Sequence, residues 1–447
     1  MDYLIDLFSN IYVLAGLSVI VAFLSSIRMF PVIIYIVRTK NIMDEPGGRK
    51  VHSEKIPTFG GVGLFASFAL AIILFGMSIG LEHKDLIKLL SLLAATILLL
   101  FMGIKDDLIA IPPKKKLSSQ LIASGIVIFM TDVRIMDFQG LFGIGELPYL
   151  VSVLFTFFVF ILVINAFNLI DGIDGLAGSI ALIGSCTLGI FFLQNDQSLL
   201  ALVSFVLIGS LLGFLRFNLS KSRSKKLFMG DSGSMFIGFL LAYLGISFLA
   251  VNASVNIPMP TTNAPILLLT ILSFPLLDTL RVFIIRLSEK RSPFSPDRNH
   301  IHHRLLNLDM SHRKSTLFIV NSNWLVIGTA FMVQDLNINL QLVICLMMMV
   351  VLYLSPYLPF VESFLRQKVS KKKDLLIKLN GNDIKNEVPE TKGSLEPDLE
   401  CEITENENSE VLKVANSNIN YSKEKDSELQ KIIDKRASIL KKTTVLE

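Results

Sequence analysis

The sequence predicts an all-α polytopic membrane protein with about eleven transmembrane helices, an active site on its cytoplasmic face and a disordered C-terminal tail. Three observations carry that reading. Hydrophobic residues make up 52% of the 447 residues and charged residues only 18%, against about 25% charged in soluble domains. Folding as soluble domains would leave too much apolar surface in water. The apolar residues gather in runs of bilayer length. The basic residues between those runs alternate sharply from one loop to the next. The 32 Phe and the aliphatic runs also exclude a wholly disordered chain. A net charge of +4 decides little, and the three widely spaced cysteines, Cys186, Cys345 and Cys401, show neither a disulfide framework nor zinc spacing.

The expected spans are Ile11–Val37, Gly61–Gly80, Leu86–Met102, Leu117–Met130, Pro148–Ile164, Leu176–Leu193, Leu199–Leu215, Met235–Val251, Ala264–Leu287, Leu317–Val333 and Leu340–Leu358. The first is over-long and carries Ser25, Ser26 and Arg28. That implies tilt, or last turns standing among the headgroups with Arg28 snorkelling. Its leading segment, MDYLIDLFSN, holds two Asp and no Lys or Arg, unlike the n-region of a cleaved signal, so the run is expected to remain as an anchor. The fourth run is the shortest. A transmembrane domain, 1–360, then gives way to a tail, 361–447, rich in Lys, Glu, Asn and Ser and expected to be disordered. Within it Leu429, Ile432, Ile433, Ile439 and Leu440 form a weak apolar stripe that allows a short helix over Ser427–Lys441.

Charge sets the orientation. The loops after the first, third, seventh and ninth spans are basic, with Arg38, Lys40, Arg49, Lys50 and Lys55 in the first and Lys114, Lys115 and Lys116 in the second. The intervening loops hold little beyond Lys84, Lys88 and Arg134. The excess of Lys and Arg on one side places those loops, and after eleven crossings the tail, in the cytoplasm, with the N-terminus outside.

Charged groups at membrane depth are costly and collect at interfaces or protein-lined cavities. Here every carboxylate cluster falls on the predicted cytoplasmic side. Gly103-Ile-Lys-Asp106-Asp107 ends the third span; it could receive a proton or a metal, or simply begin a hydrated loop. Asn165, Asn168, Asp171 and Asp174 follow one another at intervals of three, which on a helix would stack all four toward one face. Gly172 and Gly175 then permit the turn that follows. Phe228-Met-Gly230-Asp231-Ser-Gly233-Ser234 enters the eighth span. Asp231 is a hard oxygen donor, although Asp231 or Ser232 could equally cap the helix. Asp297-Arg298-Asn299-His300-Ile-His302-His303-Arg304 holds three of the six His. It suits anions better than zinc, for no Cys or HExxH pattern lies near. Arg49-Lys50-Val-His52 and Pro57-Thr-Phe-Gly60-Gly61 could wrap a phosphate but lack P-loop spacing. Carboxylates for a divalent cation and Lys, Arg and His for phosphates, together at a membrane surface, suit phosphoryl transfer.

Taken in chain order from Arg49 to Arg304, these five motifs resemble the polyprenyl-phosphate N-acetylhexosamine-1-phosphate transferases, relatives of the phospho-MurNAc-pentapeptide transferases. The His300-Ile-His302-His303 order resembles the hexosamine branch more, while Ser220–Lys226 departs from the Pro-Ala-Lys pattern common before the phenylalanine. The resemblance implies a reaction: a UDP-N-acetylhexosamine, most simply UDP-GlcNAc, and polyprenyl (undecaprenyl) phosphate give polyprenyl-diphospho-N-acetylhexosamine and UMP. The cofactor would be Mg2+, with Mn2+ as a substitute. It also implies roles. Asp231 and Asn168 would hold the metal, and Asp106, Asp107, Asp171 and His302 would be catalytic. Lys50, Lys116, Asn165, Asp174, Phe228, Arg298, His300, His303 and Arg304 would bind substrate, with Phe228 stacking on the uracil. The setting would be a bacterial inner membrane, with membrane lipid and no nucleic acid as partner, and the product would initiate an O-antigen, capsule or teichoic-acid-type glycan. A homodimer stays open. The rival from another class is a multi-span transporter, but transporter sites lie near the midplane, often with repeat symmetry, and no repeat is visible here.

Overall fold

The computed structural model describes residues 10–40, 43–44, 56–109, 111–254, 257–290 and 300–358. Their helices are α1 (Ile11–Thr39), α2 (Gly60–Gly76), α3 (His83–Ile109), α4 (Pro113–Thr131), α5 (Tyr149–Ile170), α6 (Leu176–Gln194), α7 (Ser198–Asn218), α8 (Gly230–Asn252), α9 (Ala264–Ile271), α10 (Ser273–Ser288), α11 (Ile301–Asn307), α12 (His312–Met332) and α13 (Ile338–Leu354). One small sheet, β1 (Met43–Asp44) antiparallel to β2 (Ile56–Pro57), precedes α2. The tail, with its expected helix over Ser427–Lys441, lies outside the described residues.

Every expected span coincides with a helix. Among the described residues eight helices (α1, α3, α5, α6, α7, α8, α12 and α13) are long and apolar enough to cross a membrane, and α9 with α10 makes a ninth if the bent pair is one span. The other two expected spans differ. α2 has 17 residues, and α4 opens on Lys114, Lys115 and Lys116. By length and composition alone, eight or nine crossings qualify among the described residues, and α2 and α4 fall short of that test. The chain is a helical membrane protein.

The helices outrun the apolar stretches that announce them. α3 continues to Ile109, which puts Asp106 and Asp107 inside its last turns rather than in a loop. α8 starts at Gly230, so Asp231 stands in its first turn. α5 stops at Ile170, so Asn165 and Asn168 are helical, Asp171 is the C-cap and Asp174 lies in the turn beyond. The expected four-residue stack on one helical face is thus limited to the two asparagines. These polar turns face protein, where the backbone ladder can continue after lipid-facing hydropathy has ended.

Packing is built on small residues. α8 is buried from Ser232 to Leu249 and touches α2, α3, α5 and α6. α1 lies along α7, where a Cβ on Gly209 would come within 2.3 Å of the Val19 carbonyl oxygen and one on Gly213 within 2.2 Å of Ser26 Cβ. Gly209 and Gly213 are four apart and face Ala22 and Ser26, the small-residue seam that lets membrane helices approach closely. Between α9 and α10 the axis bends by 71°. Pro275 has no N–H to offer the Ile271 carbonyl, and α12 supplies what is missing. Asn323 Nδ2 donates to Thr270 O at 2.9 Å, to Ile271 O at 3.4 Å and to Ser273 Oγ at 2.9 Å.

Candidate active site

The first turn of α8 is held from three sides. Phe228 N donates to Pro57 O at 2.8 Å, Gly60 N to Phe228 O at 2.9 Å and Gly61 N to Met229 O at 2.9 Å. The Pro57–Gly61 motif therefore zips onto the Phe228–Met229 segment. Gly230 has φ +75°, and a Cβ there would meet Thr58 O at 2.4 Å, so glycine is required at this step. Asp107, at the end of α3, then caps α8. Its Oδ1 accepts from Asp231 N at 2.8 Å, and its Oδ2 accepts from Ser232 N at 3.2 Å and Ser232 Oγ at 2.8 Å. The cap comes from another helix, not from Asp231 or Ser232, and the Asp231 side chain is left to point elsewhere.

It points into a cavity of about 750 Å³, which gathers Asp106, Asp107, Lys116, Asn168, Asp171, Asp174, Phe228, Asp231, His302 and His303 from the expected set. Asp231 Oδ1 accepts from Asn168 Nδ2 at 2.5 Å, and its Oδ2 faces Lys116 Nζ at 3.3 Å. The same ammonium pairs with Asp106 Oδ2, while Asp106 Oδ1 accepts from Ile111 N at 2.6 Å. Lys116 thus bridges two carboxylates carried by α3 and α8. On another wall Asp174 Oδ2 pairs with Lys226 Nζ at 2.6 Å and lies 3.8 Å from His312 Nδ1, while Asp174 Oδ1 is buried without a hydrogen-bond partner. Lys226 Nζ also sits 5.5 Å from the centre of the Phe228 ring.

Electrostatics differ along the wall. Burial, and then the carboxylates of Asp231, Asp107 and Asp174, push the Asp171 carboxyl well above the usual carboxylate range. Burial and then the neighbouring His303 push the His302 imidazole down to about 3, so it is neutral at pH 7. The Nε2 edge of its ring abuts Gly172, where a Cβ would come within 2.2 Å of Nε2. Five aspartates thus share one cavity with Lys116 at its wall and Lys226 held by Asp174. That surplus of negative charge favours a cation. Among the described residues no three His, Cys, Asp or Glu form a ready-made metal cluster. Asp231 and Asp171 still offer the one or two carboxylates that magnesium takes when phosphates and water complete its shell.

Three expected site residues lie outside the cavity lining. Asn165 Nδ2 donates to Gln120 Oε1 at 2.9 Å and Ile161 O at 2.8 Å, tying α5 to α4. His300 is buried against Asp278. Arg304 Nε donates to Pro356 O at 3.2 Å, and its guanidinium lies over the Tyr357 ring. Lys50 and Arg298 lie outside the described residues. Conversely, the cavity includes Asn218, which sequence reasoning passed over, and Ser234, which stood in the Phe228–Ser234 motif without a role of its own. Asn218 Oδ1 accepts from Gly175 N at 2.5 Å and its Nδ2 donates to Leu227 O at 2.9 Å, which joins the Asp171–Gly175 turn to the Phe228 segment. A single Asn at a helix end carries no sequence signal for that span of chain.

An apolar helix bundle whose carboxylates and lysines converge in one end cavity defines an integral-membrane enzyme that handles phosphates. Comparison with known proteins narrows the class. Residues 89–249 match the model of glycosyl transferase family 4. The chain is 30% identical over 344 residues to the "Probable undecaprenyl-phosphate N-acetylglucosaminyl 1-phosphate transferase" of Bacillus subtilis (strain 168), covering 75% of this chain and 90% of the relative. It is 31% identical over 306 residues to the undecaprenyl-phosphate alpha-N-acetylglucosaminyl 1-phosphate transferase of Haemophilus influenzae, covering 68% and 82%. It is 32% identical over 290 residues to the decaprenyl-phosphate N-acetylglucosaminephosphotransferase of Mycobacterium leprae, covering 61% and 72%. The chain belongs to glycosyl transferase family 4, among its polyprenyl-phosphate sugar-phosphate transferases. The family resemblance drawn from the five motifs holds, and the transporter alternative falls.

Proposed function

We propose that this enzyme transfers N-acetylglucosamine-1-phosphate from UDP-N-acetylglucosamine to undecaprenyl phosphate and releases UMP. The sugar and the acceptor follow the names of the relatives reported above. The observation that carries the reading is the cavity itself, where Asp231, Asn168 and Lys116 meet beside Asp106 and Asp171.

The residues divide the work. Phe228 presents a ring for the uracil beside the Asp174–Lys226 pair, and base stacking on an aromatic contributes about 1–3 kcal/mol. Lys116 neutralises charge on the diphosphate. The neutral His302, with His303, offers hydrogen bonds at the cavity wall beside Gly172. Magnesium, when bound by Asp231 with Asn168 or Asp171, supplies Lewis-acid stabilisation of the phosphate oxygens. A phosphate oxygen of the lipid attacks the sugar-bearing phosphorus, the new P–O bond forms and the bond to UMP breaks. The lipid phosphate has a second pKa near about 6 and arrives largely ionised, so Asp106 need only orient it. Asp107, with both oxygens engaged by α8, acts by holding Asp231 in place. The excess of Lys and Arg in alternate loops supports a cytoplasmic cavity and tail in a bacterial inner membrane, with the N-terminus outside.

The test is turnover by the purified, detergent-solubilised protein. UMP release that requires both UDP-N-acetylglucosamine and undecaprenyl phosphate, with the lipid product identified by mass spectrometry, is the expected result. Release without the lipid, or preference for a MurNAc-pentapeptide donor, would overturn it.

A further inference from the structure

One buried carboxylate outside the cavity is placed to control it. Asp278 lies on α10 and is 0% exposed. It binds groups from two other elements. Its Oδ2 lies 2.7 Å from His300 Nδ1, and its Oδ1 accepts from Ile301 N at 2.8 Å and from the Tyr353 hydroxyl of α13 at 2.7 Å. A carboxylate buried this deeply is tolerated when its lone pairs are matched by donors, and removing one donor leaves an uncompensated polar group. The network is therefore expected to hold one geometry.

What it holds is α11. Ile301 is the first residue of that helix and His300 its N-cap, so Asp278 fixes both the start of the helix and the ring of the cap. The His300 ring in turn lies parallel to His302, with centroids 5.5 Å apart and an interplanar angle of 5°, and His302 lies against His303 at 4.4 Å. His302 and His303 line the cavity, whereas His300 does not. His302 Nδ1 is buried without a hydrogen-bond partner, so no bond of its own at that nitrogen sets the ring. Its orientation comes from its His300 and His303 neighbours and from Gly172 at its Nε2 edge. These contacts lie beyond the residues that match the family model, 89–249.

We propose that Asp278 is a positioning residue for the transfer reaction: through His300 and the Ile301 amide it fixes the His302–His303 pair at the cavity wall, with Tyr353 bracing the carboxylate from α13. The proposal rests on the transferase reading given above. Asp278 touches no substrate in this account. Its effect passes entirely through α11.

A double-mutant cycle tests it. Asp278→Asn, His302→Ala and the double variant are purified, their folded fraction is checked by thermal unfolding in detergent, and kcat and KM for UDP-N-acetylglucosamine are measured per folded molecule. Asp278→Asn should lower kcat by about tenfold or more with KM within about twofold, and in the His302→Ala background it should cost almost nothing further. Losses that multiply in the double variant, or an Asp278→Asn enzyme with normal kcat per folded molecule, would overturn the proposal. Should Asp278→Asn fail to fold, Tyr353→Phe and His300→Gln run the same cycle. Wild-type protein that turns over no sugar nucleotide would instead remove the functional reading, so the two failures are distinct.

Discussion

Gly103 makes no contact with the cavity, yet replacing it with alanine should slow the enzyme severely. It lies on α3 one turn before Asp106 and Asp107, against the first turn of α8. A Cβ at this position would stand 2.2 Å from Ser232 Cα, 2.6 Å from Ser232 N and 3.0 Å from the Asp231 carbonyl carbon, whereas ordinary contact starts at 3.4 Å. All three atoms are backbone, so no side chain can swing away. Relief requires α8 to retreat by about 1 Å, and a displacement of that size at a reacting centre costs about 10²-fold in rate. The retreat is opposed by Gly61 of α2, where a Cβ would already be 2.1 Å from Gly233 N, so the turn is clamped between two helices. Overpacking of this kind costs about 1–3 kcal/mol of stability, which leaves most of the protein folded. The assay is UMP release per folded molecule, with Gly328→Ala as control because nothing lies within 4 Å of a Cβ there. Gly103→Ala should lose about 10²-fold in kcat while the control keeps wild-type turnover. A Gly103→Ala enzyme with normal kcat would show that the position of the α8 turn does not govern the chemistry.

Other expectations follow from the same geometry. Phe228→Ala should weaken UDP-N-acetylglucosamine binding about 5- to 150-fold, the equivalent of about 1–3 kcal/mol of stacking, measured by titration calorimetry; unchanged affinity would remove the uracil role. Asp171→Asn should lower turnover by about 10²-fold while raising the thermal unfolding midpoint of the ligand-free protein, because the neutral amide no longer suffers burial and the repulsion of Asp231, Asp107 and Asp174. A drop in both would contradict this. His302 sits at about 3 in the folded protein against 6.5 unfolded, so the unfolded chain binds its proton first. Its contribution to stability is complete above pH 6.5 and is lost at about 1.4 kcal/mol per unit as pH falls from there toward 3. Unfolding midpoints measured from pH 7 to 5 should therefore decline less steeply in His302→Gln than in wild type.

Much of this was readable from the chain. Continuous apolar stretches announced every helix that makes the bundle, and the spacing of Asp106, Asn168, Asp171, Asp174 and Asp231 at stretch ends announced the cavity. The misses have physical causes. Helices were cut short wherever a terminal turn is polar, as at Asp106 near the end of α3 and Asp231 at the start of α8, because hydropathy marks lipid contact rather than hydrogen bonding. Asn165 shares the interval of three with Asn168, but a helical interval does not say which neighbour the face meets, and here it meets Gln120. The cap on α8 was sought in Asp231 and Ser232, since local sequence suggests local caps. It comes from Asp107, more than a hundred residues earlier. Asp278, Tyr353 and Asn323 stand inside apolar runs with no pattern around them, and their partners lie on other helices.

The central claim is that the carboxylate-lined cavity seats the diphosphate of a sugar nucleotide. The most direct measurement is an experimental structure of the full chain with UDP-N-acetylglucosamine and magnesium. The account predicts the diphosphate beside Asp231 and Lys116, the uracil against Phe228 and His302 facing the phosphates or sugar. A nucleotide bound anywhere else on the protein, with this cavity filled by side chains or lipid, would contradict it.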